Sequence, residues 1–213
     1  MSRLLDALSA GDPAAALSVL ADDPSAADDR TDGGVSALLL ARYRGMTEVV
    51  DAIRAARPLD LAEAAAVDDV RTVSALLAGG ESADGRSPDG FTALQLACHF
   101  DAVGAAALLI RAGADVTARA SGAMDVQALH AAAASPTGAC IPLLLAAGAP
   151  VDETQKGGFT PLHEAATRSD ERMAELLLAA GADPTLRTDD DRDAAAIAEA
   201  NGAADLAARL RAG

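Results

Sequence analysis

Gly158-Phe159-Thr160-Pro161-Leu162-His163-Glu164-Ala165-Ala166 opens the most regular stretch of the chain. After a polar break at Ser169 and Asp170 it closes with Met173-Ala174-Glu175-Leu176-Leu177-Leu178-Ala179-Ala180-Gly181-Ala182-Asp183-Pro184. Thr160 has the side chain of a helix N-cap, and Pro161 follows at the first helical position, where a missing N–H costs nothing. Leu162, Ala165 and Ala166 share one face at helical spacing. Ser169 and Asp170 interrupt that pattern and supply caps for a second helix. Leu176, Leu177 and Leu178 form the apolar side of that helix, and Gly181 is able to enter the left-handed region that ends it. The stretch therefore predicts a short helix, a tight turn, a second helix and a glycine stop.

Weaker copies recur along the chain. With Leu162 as the anchor, equivalent residues lie at Leu129, Leu94, Leu61, Leu38 and Leu4 going back, and at Ala195 going forward; the intervals are 33, 35, 33, 23, 34 and 33 residues. Seven residues after each anchor comes a break, at Gly11, Gly45, Asp68, Asp101, Pro136, Ser169 and Gly202. In the four middle units a stop glycine follows 12 residues later, at Gly80, Gly113, Gly148 and Gly181. Three landmarks in register define a repeat of about 33 residues.

This pattern resembles the ankyrin repeat. Residues 157–183 match its Gly-x-Thr-Pro-Leu-His-x-Ala-Ala and Leu-Leu-Leu-x-x-Gly-Ala-Asp segments. Residues 87–115 match through Asp89-Gly90-Phe91-Thr92-Ala93-Leu94 and Gly113-Ala114-Asp115, and residues 126–149 through Leu129-His130-Ala131-Ala132 and Leu143-Leu144-Leu145-Ala146-Ala147-Gly148-Ala149. The resemblance implies an all-α ankyrin-repeat solenoid. It would have about seven helix-turn-helix units joined by turns or β-hairpin loops, each burying its apolar face against the next. As one domain over 1–213, the units fall at 1–30, 31–58, 59–86, 87–119, 120–153, 154–186 and 187–213. Ser18, Arg209 and Arg211 stand where middle units carry Leu, which predicts capping repeats with polar outer sides.

Three departures stand out. The 23-residue step from Leu38 to Leu61 leaves no room for a loop, so Ala56-Arg57-Pro58-Leu59 connects directly and a gap or kink is expected in the row of loops. Unit three lacks the Thr cap, and Asp60 is placed to cap one residue late. Unit five has Met124-Asp125-Val126-Gln127 where Gly and Thr are usual, and Asp189–Asp193 forms an acidic run in place of the last loop.

Composition narrows the function classes. Aromatics are 2% of residues, with no Trp, one Tyr and three Phe, so alanine and leucine fill the interior. The net charge of −15 disfavours nucleic acid, whose affinity comes from Lys and Arg on phosphates, and disfavours an anionic membrane surface. No stretch has the ~18 uncharged apolar residues of a membrane span, and Met-Ser-Arg-Leu-Leu-Asp-Ala-Leu lacks the apolar core of a signal peptide. Cys98 and Cys140 fit reduced, buried thiols, so the expectation is a cytoplasmic monomer. Sixteen Arg against the single Lys156, with so much Ala, point to a GC-rich coding sequence of bacterial type.

Chemistry is sparse. His130 and His163 occupy the motif histidine, whose role in the family is to tie loop to helix by hydrogen bonds. No CxxC or His/Cys cluster has metal spacing, no phosphate-cradling loop follows a strand, and no Gly-x-Ser-x-Gly is present. Cys98 and His99 are adjacent and so point apart on a helix. The expectation is a non-enzymatic protein without cofactor or metal.

The aromatics carry more. In the family the variable contact positions lie just before the motif Thr and five and six residues after the Leu. Tyr43 and Arg44, His99 and Phe100, and Thr167 and Arg168 occupy the latter positions; Phe91 and Phe159 occupy the former. All four aromatic residues fall on the expected concave face, where aromatics and Arg are typical binding anchors. These eight residues are the candidate surface for a protein partner. Phe91 and Phe159 are equally suited to packing along the loops. An alternative is a regulatory inhibitor or immunity-type protein whose acidic surface masks a basic site. A third reading, an enzyme using His99, requires a deep pocket with converging polar groups beside it.

Overall fold

The computed structural model describes residues 2–121 and 125–212. Fourteen α-helices lie within them as seven consecutive pairs, the members of each pair in contact. The first helices are α1 (Arg3–Ala10), α3 (Ala37–Tyr43), α5 (Leu61–Ala66), α7 (Ala93–His99), α9 (Ala128–Ala133), α11 (Pro161–Thr167) and α13 (Ala194–Ala200). The second helices are α2 (Pro13–Asp22), α4 (Thr47–Ala56), α6 (Val70–Ala78), α8 (Val103–Arg111), α10 (Ile141–Ala146), α12 (Glu171–Ala179) and α14 (Ala204–Ala212). Each first helix touches the next first helix, from α1 through α13, so the units form one continuous stack.

Local chemistry sets the helix ends. Ser2, Asp12, Ser36, Asp60, Asp69, Thr92, Thr160, Asp170 and Asp193 each accept a first-turn backbone N–H. Asp193 thus turns the end of the acidic run into the cap of α13. Six of the seven breaks adopt positive φ: Gly11, Gly45, Asp68, Asp101, Ser169 and Gly202. Pro136 does not, because its ring holds φ near −65°; the left-handed residue moves to Gly138 (φ 65°). The turn lengthens accordingly, so α10 begins at Ile141 and Cys140 becomes its N-cap residue.

The interior is thin and aliphatic. Leu4, Leu38, Leu94, Leu129 and Leu162 are all buried, as are Ala65, Ala97, Ala132 and Ala165 beside them. The apolar side of α12 is narrower than predicted: Leu177 is fully buried, whereas Leu176 and Leu178 are half-buried. At the ends, Ser18, Arg209 and Arg211 are exposed, and Arg209 reaches back to Glu171 at 2.9 Å and to Glu175.

Loops close by single β-bridges at Arg30/Ser36, Arg86/Thr92, Gln155/Phe159 and Arg187/Asp193. Loop five is wider. Its closing bond runs from Ala120 N–H to the Val126 carbonyl, six residues on, where Ser87 bonds to Phe91 four residues on. That difference absorbs the two extra residues between Leu94 and Leu129; Met124 lies outside the described residues. Neighbouring loops are tied together, with Ser121 N–H donating to Gly90 O and Asp189 N–H to Gly157 O. Gly90 sits at φ 94°, and a Cβ there would stand 2.4 Å from the Ser121 carbonyl oxygen.

No hairpin separates α4 from α5; residues 57–60 connect them directly. The expected gap is not found. A Cβ on Gly34 would lie 2.8 Å from Pro88 Cβ, so the flanking loops close onto each other. Arg57 fills the space behind. Its guanidinium donates to both Glu63 carboxylate oxygens at 2.7 Å and to the Ala27 carbonyl at 2.9 Å, and it pairs with Asp28 at 3.1 Å. Asp60 caps α5 one residue late, as the sequence suggested, and Glu63 completes the capping box.

Candidate functional site: a ring cluster and the cavity beside it

Tyr43, His99 and Thr167 are the last residues of α3, α7 and α11, and Arg44, Phe100 and Arg168 are the C-cap residues that follow. The repeat therefore presents all six at one level of the stack. The structure draws three of them into a cluster. Ring centroids are 5.5 Å apart for Tyr43 and His99, 5.0 Å for Tyr43 and Phe100, and 4.9 Å for His99 and Phe100. Tyr43 belongs to unit two and the other two rings to unit four. They meet because unit three carries only Ala66 and Val67 at the same positions.

Arg42, which the sequence reading did not single out, clamps this arrangement. Its guanidinium carbon lies 4.8 Å from the Phe100 centroid, and it donates to the carbonyls of Ala66 (3.3 Å) and Phe100 (3.4 Å). Only the contact across the short third unit reveals it. Tyr43 nevertheless remains 42% exposed. Burial, and then the charge of Asp89, push its phenol up to about 12. Burial also pushes the His99 imidazole down, against Asp101 and with Arg42 and Arg168.

The other candidates separate. Arg44 is exposed and forms no ion pair among the described residues. The Thr167 hydroxyl donates to the His163 carbonyl at 2.9 Å, and Arg168 donates to the Ala134 carbonyl at 3.3 Å. Half-buried Phe159 meets the His163 ring edge-on at 5.8 Å. Half-buried Phe91 turns instead toward a cavity of about 310 Å³ that Tyr43 and His99 also line. Leu96, Val126, Ala131 and Ala134 complete its apolar wall; His130, Gln155, Gln95 and Glu164 are its polar members.

Position three of each first helix explains the histidines. His163 Nδ1 accepts from the Thr160 N–H at 3.1 Å, so Nε2 carries the proton and donates to the Leu186 carbonyl at 3.1 Å. That is the loop-to-helix tie expected of it. Gln95 does the same work in unit four: its oxygen accepts from Thr92 N–H, and its amide donates to Ala118 and Val126 carbonyls, all at 2.8 Å. His130 faces the equivalent loop backbone, at Glu153 and Phe159, but at 2% exposure neither ring nitrogen closes a hydrogen bond of good geometry among the described residues. The reason lies at its cap position, where Gln127 has no short hydroxyl and sends its amide to the Thr117 carbonyl instead. Burial pushes the His130 imidazole down, only partly offset by the backbone of Glu153 and Phe159.

Glu164 forms no ion pair among the described residues. Burial raises its carboxyl, and Arg168 offsets part of that. A pocket beside His99 thus exists, but its wall is mostly apolar. Cys98 is fully buried, and the adjoining Cys140 thiol together with burial pushes its thiol well above the usual range, which suppresses the nucleophilic thiolate. Among the described residues no group of three or more His, Cys, Asp or Glu is placed to hold a metal ion, and no helix is long and apolar enough to cross a membrane.

Comparison with known proteins agrees with this architecture. Residues 120–188 match the family model for ankyrin repeats (3 copies), and residues 89–121 match that for a single ankyrin repeat. The chain is 37% identical over 127 residues to the nuclear factor NF-kappa-B p105 subunit of Gallus gallus, covering 57% of this chain and 13% of that protein. It is 38% identical over 120 residues to the Mus musculus p105 subunit, covering 54% of this chain and 12% of that one. The chain thus spans about an eighth of the length of the curated relatives it matches. Residues 89–188 are thus ankyrin repeats, and the unbroken stack of helix pairs on either side of them gives the chain the all-helical fold of an ankyrin-repeat solenoid.

Proposed function

We propose that the chain is a non-enzymatic, cytoplasmic interaction module, working as a monomer, that binds a partner protein on its concave face. Ankyrin repeats generally serve protein–protein interaction, and the relatives' names add no partner for this chain. The observation that carries the reading is Tyr43. The chain's one tyrosine is left 42% exposed, braced by two rings of a unit two steps away, at the mouth of an apolar cavity. Such a ring is held in place before binding, so little ordering entropy opposes association. Phe91, His99 and Phe100 belong to the same surface; Arg44, Phe159, Thr167 and Arg168 extend it along the stack. Among the described residues neither His99 nor His130 is oriented by a carboxylate hydrogen bond and no Ser, Thr or Cys lines the cavity, so they supply no activated nucleophile there.

The test is affinity capture of a partner from the native host followed by titration with variants. Alanine at Tyr43, His99 and Phe100 together is expected to weaken binding by at least ~100-fold, about 2.7 kcal/mol, as hot-spot rings do. Loss of less than twofold, with binding abolished by changes on the second helices, removes the concave-face assignment. The net charge of −15 and the unpaired Glu164 favour a second reading, an inhibitor that masks a basic site. Affinity that falls steeply with added salt supports that reading over apolar anchoring.

A further inference from the structure

The cavity beside Tyr43 has a chemistry more specific than its apolar wall. At about 310 Å³ it lies at the small end of ligand pockets, the size for one side chain rather than a cofactor. Tyr43, Phe91 and His99 give it three rings, whose faces attract cations. One polar residue in it lacks a charged partner. Half-buried Glu164 forms no ion pair among the described residues, whereas the His130 ring nitrogens are enclosed beside the Glu153 and Phe159 backbone. The Glu164 carboxylate is therefore the group that a cationic ligand completes. Gln95 is not such a group, since its amide is already committed to Thr92, Ala118 and Val126.

We infer that this cavity receives a cationic side chain, arginine in preference to lysine, from a basic segment of the partner. The methylene stem packs between the rings and Val126, as long cationic side chains do. The planar guanidinium stacks on an aromatic face and donates to the Glu164 carboxylate. An ammonium has no flat face to stack. An acidic side chain meets Glu164, and a purely apolar one leaves Glu164 unsatisfied. The charge of −15 on the chain complements a basic segment. This inference rests on the concave face being the recognition surface.

The probe is Nα-acetyl-L-arginine methylamide, titrated into the whole protein and followed by NMR of the aromatic side chains. Saturable shifts at His130, Tyr43 and Phe91, with a dissociation constant of millimolar order, are expected for one isolated side chain. The citrulline analogue, isosteric and neutral, is expected to bind at least ~10-fold more weakly, and the lysine analogue to fall between. Glu164→Gln is expected to remove the arginine preference without lowering the thermal midpoint, because it relieves a carboxylate that burial already disfavours. Equal binding of arginine and citrulline, or no shift at His130 and Tyr43, overturns the inference. If the probe fails while Tyr43→Ala still weakens partner binding, only the cationic occupant is lost. If the probe binds and Tyr43→Ala leaves the partner unaffected, the cavity is a cation site that the partner does not use, and the docking inference falls with the concave-face reading.

Discussion

Replacing Arg57 by Ala is expected to cost about 3–5 kcal/mol, the usual consequence of stranding one member of a buried ion pair. The Glu63 side chain is fully buried and the Arg57 side chain 13% exposed, so water replaces little of what is lost. Two 2.7 Å bonds to the carboxylate disappear, with those to the Ala27 and Pro58 carbonyls. The residue also holds the turn at Pro24–Asp28 against α5, where the chain has no hairpin. Urea and thermal unfolding followed by far-UV circular dichroism give the size, with a midpoint lowered by roughly 10 °C for a chain of this length. Hydrogen exchange in α5 and the 24–28 turn gives the place. The pH dependence is a second signature. Burial alone would raise the Glu63 carboxyl, but hydrogen bonds from Arg57 and Ser36, the charge of Arg57 and the Asp60 N–H bring it below its usual value. A depressed folded-state value means stability that is present above the unfolded value of about 4.3 and is lost as pH falls through the folded one. In the variant, burial prevails and the carboxyl rises, so the deficit is largest near neutrality and shrinks toward pH 4. Arg57→Met with Glu63→Gln removes both charges and is expected to recover most of the loss. A cost below about 1 kcal/mol for Arg57→Ala, or a double variant as unstable as the single one, refutes the assignment.

Three further outcomes follow from the same geometry. Asp101 accepts from the Ser135 hydroxyl and from the Thr137 and Ala139 N–H groups (2.8–3.0 Å), bonds that outweigh burial and lower its carboxyl. Asp101→Ala is expected to cost about 2–3 kcal/mol and to speed hydrogen exchange in 135–140, while an unchanged exchange pattern there refutes its role as a staple. His163→Gln is expected to stay within about 1 kcal/mol of the parent, since Gln95 already performs that task in unit four, whereas His163→Ala loses the tie to Leu186 and costs about 1–3 kcal/mol; equal losses in chemical denaturation defeat the equivalence. Tyr43 is the chain's one tyrosine, so ultraviolet titration of the phenolate reads it alone; a midpoint of about 12 is expected, and one near 10 denies its half-buried place beside Asp89.

What could be read from the chain by itself was whatever is encoded locally. Thr160-Pro161 and Asp12-Pro13 cap helices through atoms two or three residues away, and Gly181 stops one through its own backbone freedom. Local rules therefore recover the repeat and the helix ends. Even the late cap at Asp60 and the missing hairpin follow from counting residues. Where reading by analogy with the repeat went astray, a neighbour had changed: Pro136 moved its turn to Gly138, and Gln127 replaced the hydroxyl cap beside His130. Tertiary structure alone decided the rest, because it depends on what unit three lacks. Ala66 and Val67 are small enough, and the deleted loop short enough, for Tyr43 to meet His99 and Phe100 from two units away and for Arg42 to reach Phe100. The cavity beside them joins residues from α3 to α11, and no sequence interval records that proximity. The sequence could place aromatic residues on one face; only packing between units made three of them a cluster, with Arg57 and Glu63 closing the stack behind.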